Sequence, residues 1–505
     1  MSEGLAGTES IAVQNPATGE EIARVPIDSA GDVAAAVARI RTNQPAWEEL
    51  GFAGRRIWLN RLRDWLLDNS DRVIETMQAE TGKVRSEASI EGPYIADLIN
   101  FYGSRAEKVI GEQKFRPSTI LNATRKLRLQ YRPHPVVGLI SPWNFPLVLS
   151  LGDAIPALMA GCAVAMKPSE VTPLGLNEIV TAWRDEIGGP DVIACVNGAA
   201  ETAGALIDHS DFVGFTGSDR TGKLVMARAA DTLTPVSLEL GGKDPMVVLE
   251  GANLERAANA ATWGGMLNSG QMCISVERVY AESAVYDEFV ERLTGKVEGL
   301  RQGTDGAEPV CDVGAMTMSA QLEKVSAQVD EAVAAGATLL TGGRRGDGPG
   351  LYYEPTVLVD VDPSMSVMSD ETFGPVVTVT RVDDEEEAIR LANDTRYGLS
   401  ASVFGPRARA ERVARRIECG AVNVNDVIFN MLAPGLPMGG WKESGIGYRH
   451  GDYGIRKYCR SEAIVSARWA LDSEPLWYPY TPSRRDVVDR ITRFVAARGL
   501  RRFRS

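Results

Sequence analysis

Between residues 162 and 188 the chain reads CAVAMKPSEVTPLGLNEIVTAWRDEIG. CAVAM is a short apolar run that Lys167, Pro168 and Ser169 bring to a stop, as turn residues end a strand. Beyond it apolar residues recur at helical spacing, and Thr172-Pro173 supplies an N-cap and a first helical residue. Strand, short loop and helix in succession form the unit of a parallel sheet. The alternation continues around this stretch, with strands in DVIACVNG, DFVGFTGS, VSLELGG and PMVVLE. LGDAIPALMAG and SDRTGKLVMARAA read as helices between them, so the expectation is a largely parallel, doubly wound α/β sheet. A second alternating region runs from about 242 to about 450. Upstream, residues 30–112 read as helix after helix, with apolar spacing clear in RRIWLNRLRDWLLDN and DRVIETMQAE. LRLQYRPHPVVGLI (127–140) alternates and contains prolines, which predicts an edge hairpin or an extended arm.

At 505 residues the chain is too long for one simple core, so about two or three domains are expected. Its 44% hydrophobic and 24% charged content is that of a soluble globular protein. A net charge of -13 argues against nucleic acid as the partner. MSEGLAGTES lacks the basic-then-apolar pattern of a signal peptide, and no apolar run is long enough to span a bilayer. The six cysteines show no CxxC pairing, which reads as reduced thiols in a cytoplasmic protein. With only His134, His209 and His450, a histidine-based metal site is not expected, and a cysteine nucleophile would find a histidine partner only among these three. Residues 484–504 hold eight arginines, with Val487, Val488, Ile491, Phe494 and Val495 on one helical face. That tail packs on its own or a neighbouring subunit, frays, or lies on a membrane surface.

GQMCISVER (270–278) poses the chemical question, because Cys273 reads either as a small buried hydrophobe or as a nucleophile. Glu239, in SLELGGKDP, is an acid inside an apolar strand; it is either ion-paired or a general base with a raised pKa. Asn144, at the centre of the rigid turn SPWNFP, either satisfies that turn or donates to a developing oxyanion. Lys167 and Glu170 leave the carboxyl end of a strand, as a surface pair or as a grip on two ribose hydroxyls. GSDRTGKL (217–224) comes close to a P-loop, but Leu224 stands where the magnesium-binding hydroxyl belongs. Gly217 and Ser218 still open a helix whose free N–H groups suit a pyrophosphate.

In this order, the motifs resemble the NAD(P)-dependent aldehyde dehydrogenase superfamily of the hydrolytic, non-CoA-acylating type over nearly the whole chain. The match runs from NPATGEEIARV (15–25) through SPWNFP, KPSE, FTGS, LELGGK and GQMC. It continues in ETFGPV (371–376), NDTRYGLSASVF (393–404), NVND (423–426) and PMGGWKESG (437–445). The resemblance implies Cys273 as nucleophile, Asn144 with the Cys273 N–H as oxyanion donors, and Glu239 as the base that activates water. It implies a cofactor site of Lys167, Glu170, Ser218, Trp143, Gly217, Glu371 and Phe373. NAD is expected over NADP, because the Glu170 carboxylate repels a 2′-phosphate. Met272, Ile274, Phe429 and Met438 would border the substrate.

The implied architecture is two Rossmann-like domains and a small β arm. Residues 1–118 and 135–241 would bind the cofactor, 242–450 would form the catalytic domain, and 119–134 with 457–469 the oligomerisation arm of a homodimer or homotetramer. Residues 470–505 form an extension that the resemblance does not cover. Two positions depart from the family pattern: Met438 replaces a common phenylalanine, and Arg449 stands where several members have a glutamate. DVIFNMLAPGLP (426–437) is nearly free of charge, which favours an apolar or aromatic aldehyde over a semialdehyde such as succinic semialdehyde. A CoA-acylating dehydrogenase and a non-catalytic binding protein are the rival readings.

Overall fold

The computed structural model describes residues 9–119, 122–470, 472–474 and 476–496. It forms two compact units. One runs up to Ala106 and resumes from Pro133 to Tyr458; the other holds Glu107–Arg132 and the chain from Cys459 onward.

The first unit opens with the two-stranded sheet Ser10–Gln14 and Glu21–Pro26; helices Ala30–Glu49, Gly51–Asp68 and Ser70–Thr81 then follow as the apolar spacing predicts, and Glu91–Ile110 starts in this unit. Ser29 starts the first helix through a capping box with Asp32, and Val33, Val37, Ile40, Gln44 and Trp47 form its buried stripe. A six-stranded sheet follows. Val136–Ile140 lies near its middle, with Ala163–Lys167 and Ile193–Cys195 on one side and Phe212–Thr216 and Val236–Glu239 on the other. These five strands are parallel, and the three in the middle are buried along their whole length. The chain builds outward from Val136–Ile140 in one direction, then returns and builds in the other. The switch in direction therefore falls between Val136–Ile140 and Phe212–Thr216, where such sheets bind ligands at their carboxyl edge. SPWNFP, KPSE, the Gly217-Ser218 turn and the Gly241-Gly242 pair all leave that edge.

A seven-stranded sheet uses the later alternating region. Its order is Thr338–Thr341, Thr356–Val359, Val376–Val382, Val276–Glu282, Asp244–Val248, Ser400–Phe404 and Ala421–Val424. Only the Thr338–Thr341 edge strand is antiparallel. Cys273 sits just before Val276–Glu282, so this sheet delivers the cysteine from the amino end of a strand.

Three local expectations change. VVGLI is a fully buried strand of the first sheet rather than part of an arm, because both its faces are covered by helices. Gly445–Ile446 pairs antiparallel with Val236–Glu239, so the segment 242–450 returns one strand to the first sheet. Thr172 does not cap its helix, which is Leu174–Asp185; its hydroxyl donates to Trp143 O at 3.2 Å. The free N–H groups of Leu174 and Gly175 instead donate to the Glu80 carboxylate at 2.7 and 2.9 Å.

The second unit is a three-stranded sheet in the order Cys459–Ala467, Arg125–Pro133, Gln113–Phe115, followed by helix Pro482–Ala496. The arm expected from 119–134 and 457–469 thus gains a strand from before residue 119. Val487 and Phe494 on the tail helix are about half exposed, whereas the Val495 side chain and the arginines beyond residue 496 lie outside the described residues. Among the described residues no helix is long and apolar enough to cross a membrane.

Candidate active site

The loop before Cys273 is backbone that L-residues avoid. Asn268, Ser269 and Gly270 have φ of 54°, 54° and 68°, which costs about 1–3 kcal/mol for each of the two non-glycine residues. Buried hydrogen bonds hold it there. Asn268 N donates to Glu87 Oε1 at 2.7 Å, Ser269 Oγ to Gly314 O at 2.9 Å, and Gln271 Nε2 to Asn268 O at 2.9 Å. Thr317 N donates to Gln271 Oε1 at 2.9 Å. A Cβ on Gly270 would stand 1.9 Å from Gly374 O, so only glycine fits.

Asn144 is fastened to the same loop rather than to its own turn. Its Nδ2 donates to Gln271 O at 2.9 Å, and its carbonyl accepts from Asn268 Nδ2 at 3.0 Å. The amide and the cysteine are therefore held in one frame, although 129 residues (273 minus 144) separate them in sequence. Asn144 and Cys273 line a cavity of about 190 Å³ together with Trp143, Gly217, Ser218, Glu371 and Phe373. Ser218 caps helix Asp219–Ala230, its hydroxyl accepting from Thr221 N, so the expected helix N-terminus opens here. Trp143 and Phe373 meet edge to face at 5.3 Å.

The glycine pair after Glu239 explains how the walls approach each other. A Cβ on Gly241 would lie 2.8 Å from Glu371 Oε2, and one on Gly242 would lie 2.2 Å from Cys273 O. Glu371 Oε1 accepts from Gly242 N at 2.9 Å. The segment carrying Glu371 is held by residues that the sequence did not single out. Glu277 accepts from Thr372 N and Phe373 N at 2.9 and 3.0 Å and pairs with the buried Lys243. Gln321 and Lys324, which also line the cavity, donate to Phe373 O and Glu371 O. No local pattern marks these side chains, because their partners lie on other elements.

Burial dominates the electrostatics. It pushes the Cys273 thiol up to about 12, with Glu371, Asp244 and Glu239 adding to the rise and Arg449 opposing it. The resting sulfur is therefore a neutral thiol. Glu239 is raised to about 7 by burial, while Arg449 and Lys457 pull it down and Asp153 pushes it up. Among the described residues nothing donates to Glu239 Oε1, so the ion-paired reading gives way to a bare buried carboxylate. Glu371 also rises to about 7, through burial and the neighbouring Glu277, against the Gly242 hydrogen bond.

Lys167 is buried rather than part of a surface pair. Its Nζ donates to Pro168 O at 2.8 Å and meets the half-exposed Glu170 at 3.4 Å. Neither residue lines the Cys273 cavity, though both leave the same sheet edge. Met272, Ile274 and Met438 are buried and Phe429 is 52% exposed, and none of the four lines that cavity. Lys223, the near-match to a P-loop lysine, pairs with Glu443 on the surface.

The chain matches the model of the aldehyde dehydrogenase family over residues 5–464. It is 40% identical over 486 residues to a Mycolicibacterium smegmatis protein named "Putative succinate-semialdehyde dehydrogenase", with NADP(+) in its name; the alignment covers 94% of this chain and 92% of the relative. It is 39% identical over 482 residues to a 4,4'-diapolycopene aldehyde oxidase of Methylomonas, covering 94% and 89%. The crystal structure of lactaldehyde dehydrogenase from Escherichia coli superposes with a TM-score of 0.87 at 34% identity, covering 92% of this chain and 96% of that one. The match spans both sheets and every motif around the cavity, so the chain belongs to the aldehyde dehydrogenase family and is an NAD(P)-dependent oxidoreductase acting on aldehydes.

Proposed function

We propose that the enzyme oxidises an aldehyde to the carboxylic acid through a thioester on Cys273, with water as the acyl acceptor. The observation that carries this reading is Glu239, a buried carboxylate with an unpartnered oxygen and a pKa near 7, whose charge reaches the Cys273 thiol. The sulfur attacks the carbonyl carbon as its proton passes to solvent water, and the C–S bond forms with the carbonyl π pair moving onto oxygen. The Asn144 amide, aimed by Gln271 O, and the Cys273 N–H stabilise the alkoxide of the thiohemiacetal. When bound, the nicotinamide supplies the acceptor for the hydride that leaves this carbon. Glu239 then takes a proton from water as the oxygen adds to the thioester, and the C–S bond breaks to release the acid and the thiol. A carboxylate that is half ionised at neutral pH suits this work, and its presence argues against CoA as acceptor.

The residues present fit a dinucleotide. The helix N-terminus at Gly217-Ser218 would face the pyrophosphate, Lys167 and Glu170 would hold the adenosine ribose, and Glu371 the nicotinamide ribose, with Trp143 and Phe373 beside the ring. Glu170 favours NAD because its carboxylate repels a 2′-phosphate. The NADP(+) in the relative's name favours the other choice, and the ratio of kcat/KM values for the two cofactors decides between them. For the substrate we favour an apolar or aromatic aldehyde, since DVIFNMLAPGLP carries no charge after Asp426 and leaves Phe429 exposed. Succinic semialdehyde is the second reading, on the same relative's name.

NADH and NADPH formation across hexanal, benzaldehyde and succinic semialdehyde, with and without CoA, tests the whole proposal. Acid release without CoA and a preference for the apolar aldehydes are expected. Strict dependence on CoA would overturn the hydrolytic route, and a large preference for succinic semialdehyde would overturn the substrate choice.

A further inference from the structure

Asp153, Arg449 and Lys457 form a charged cluster beside Glu239 that the reaction above does not use. Arg449 is buried and donates to Asp153 Oδ2 through Nε at 2.9 Å and Nη2 at 2.6 Å. The same Nη2 donates to Thr216 Oγ1. The other oxygen of Asp153 accepts from Lys457 Nζ at 2.9 Å and the Tyr458 hydroxyl at 2.7 Å. Lys457 also reaches Ser237 Oγ at 3.3 Å.

Strand register ties this cluster to Glu239. Thr216 stands opposite Glu239 in the parallel pair, and Ser237 lies two residues earlier on the strand of Glu239, on the same face. The cluster is thus fastened to the two positions that flank the carboxylate. Two cations against one anion leave it a net charge of about +1 (Arg449 plus Lys457 minus Asp153), which favours the ionised base. The Tyr94 hydroxyl and the Cys273 thiol, which interact with Glu239, are neutral near pH 7, as is His450 beside the Arg449 cluster. The Tyr94 hydroxyl is pushed far up by burial and bonds His450 Nε2 at 2.6 Å, His450 is lowered to about 4, and the Cys273 thiol is raised to about 12.

We propose that Arg449, fixed by Asp153 and Thr216, is a positioning residue that keeps Glu239 ionised for thioester hydrolysis, while Asp153 limits how much of its positive charge Glu239 feels. The proposal rests on the reading of Glu239 as the water-activating base. Its test is the pH dependence of acyl-enzyme breakdown, followed by acid release after a single turnover of aldehyde with the cofactor. Arg449→Gln should move the ionisation limb upward by about one pH unit or more, slowing hydrolysis roughly tenfold on its acid side. Asp153→Asn should move the limb downward, and Arg449→Lys should leave it near the wild-type position. Loss of a structural ion pair affects both partners alike, so opposite shifts distinguish the two roles. Shifts in the same direction, or an unmoved limb, overturn the proposal. Where Arg449→Gln does not fold, Lys457→Gln takes its place, with an upward shift again expected. A limb that survives in Glu239→Gln sinks the reading of Glu239 as base and the proposal with it. A limb lost in Glu239→Gln but unmoved by the Arg449 and Asp153 variants sinks the proposal alone.

Discussion

At the scale of single residues the proposed mechanism divides its labour among a thiol, an amide and a carboxylate. Cys273→Ser is expected to abolish NADH formation, because a serine hydroxyl in this buried site is a far poorer nucleophile than the sulfur. Glu239→Gln separates the two half-reactions. Hydride transfer should still give up to about one NADH per subunit, and acyl-enzyme breakdown should then fall by about 10²–10⁴-fold. Rapid-mixing absorbance would show a burst followed by a stall. Steady turnover at the wild-type rate would remove Glu239 from the mechanism. Cys273, Glu239 and Asn144 were candidates from sequence because each carries its chemistry in its own side chain, and their roles are those proposed above on the family resemblance. Arg449 was visible only as a departure from a pattern, since its hydrogen-bond partners Asp153 and Thr216 stand 296 and 233 positions away.

At the scale of elements, the cavity depends on loops that close on one another across the two sheets. Glu277, at the start of its strand, holds Thr372 N, Phe373 N and Lys243 together. Glu277→Gln would leave Lys243 buried without its carboxylate, and a loss of about 3–5 kcal/mol in urea unfolding is expected. A higher KM for the cofactor should accompany it, because the Glu371–Phe373 segment loses two of its anchors. Unchanged stability would mean that Lys243 finds another partner. Strands and helices were legible where periodicity was clean. The missed cap at Leu174–Asp185 has a plain cause: Glu80 reaches the helix from an element 94 residues upstream, which no local cap rule can register.

At the scale of the molecule, the second unit carries an exposed apolar surface. Val465 is 62% exposed in the strand Cys459–Ala467, and Phe115, Trp469 and Trp477 are more than half exposed. Cys459–Ala467 is an edge strand of its sheet among the described residues, and such an edge with an exposed apolar side chain suits pairing with another chain. We propose that this sheet pairs with a second copy, giving a homodimer or homotetramer. Val465→Asp should then shift sedimentation toward the monomer, and a wild-type chain that sediments as a monomer would overturn the assignment.

The sequence alone determined the fold class and named the candidate reactive groups. Apolar periodicity is a local consequence of burying strands and helices, and a thiol, an amide or an acid keeps its chemistry wherever it stands. Only the tertiary structure decided what those groups face. It bent the 268–270 loop into a left-handed path, locked Asn144 to the cysteine's own loop, left Glu239 Oε1 bare and bound the Arg449 guanidinium to Thr216, the register partner of Glu239. Each of these is a contact between residues far apart in the chain. Electrostatic environment, hydrogen-bond satisfaction and strain arise from such contacts, so they exist only once the sheets have closed on each other.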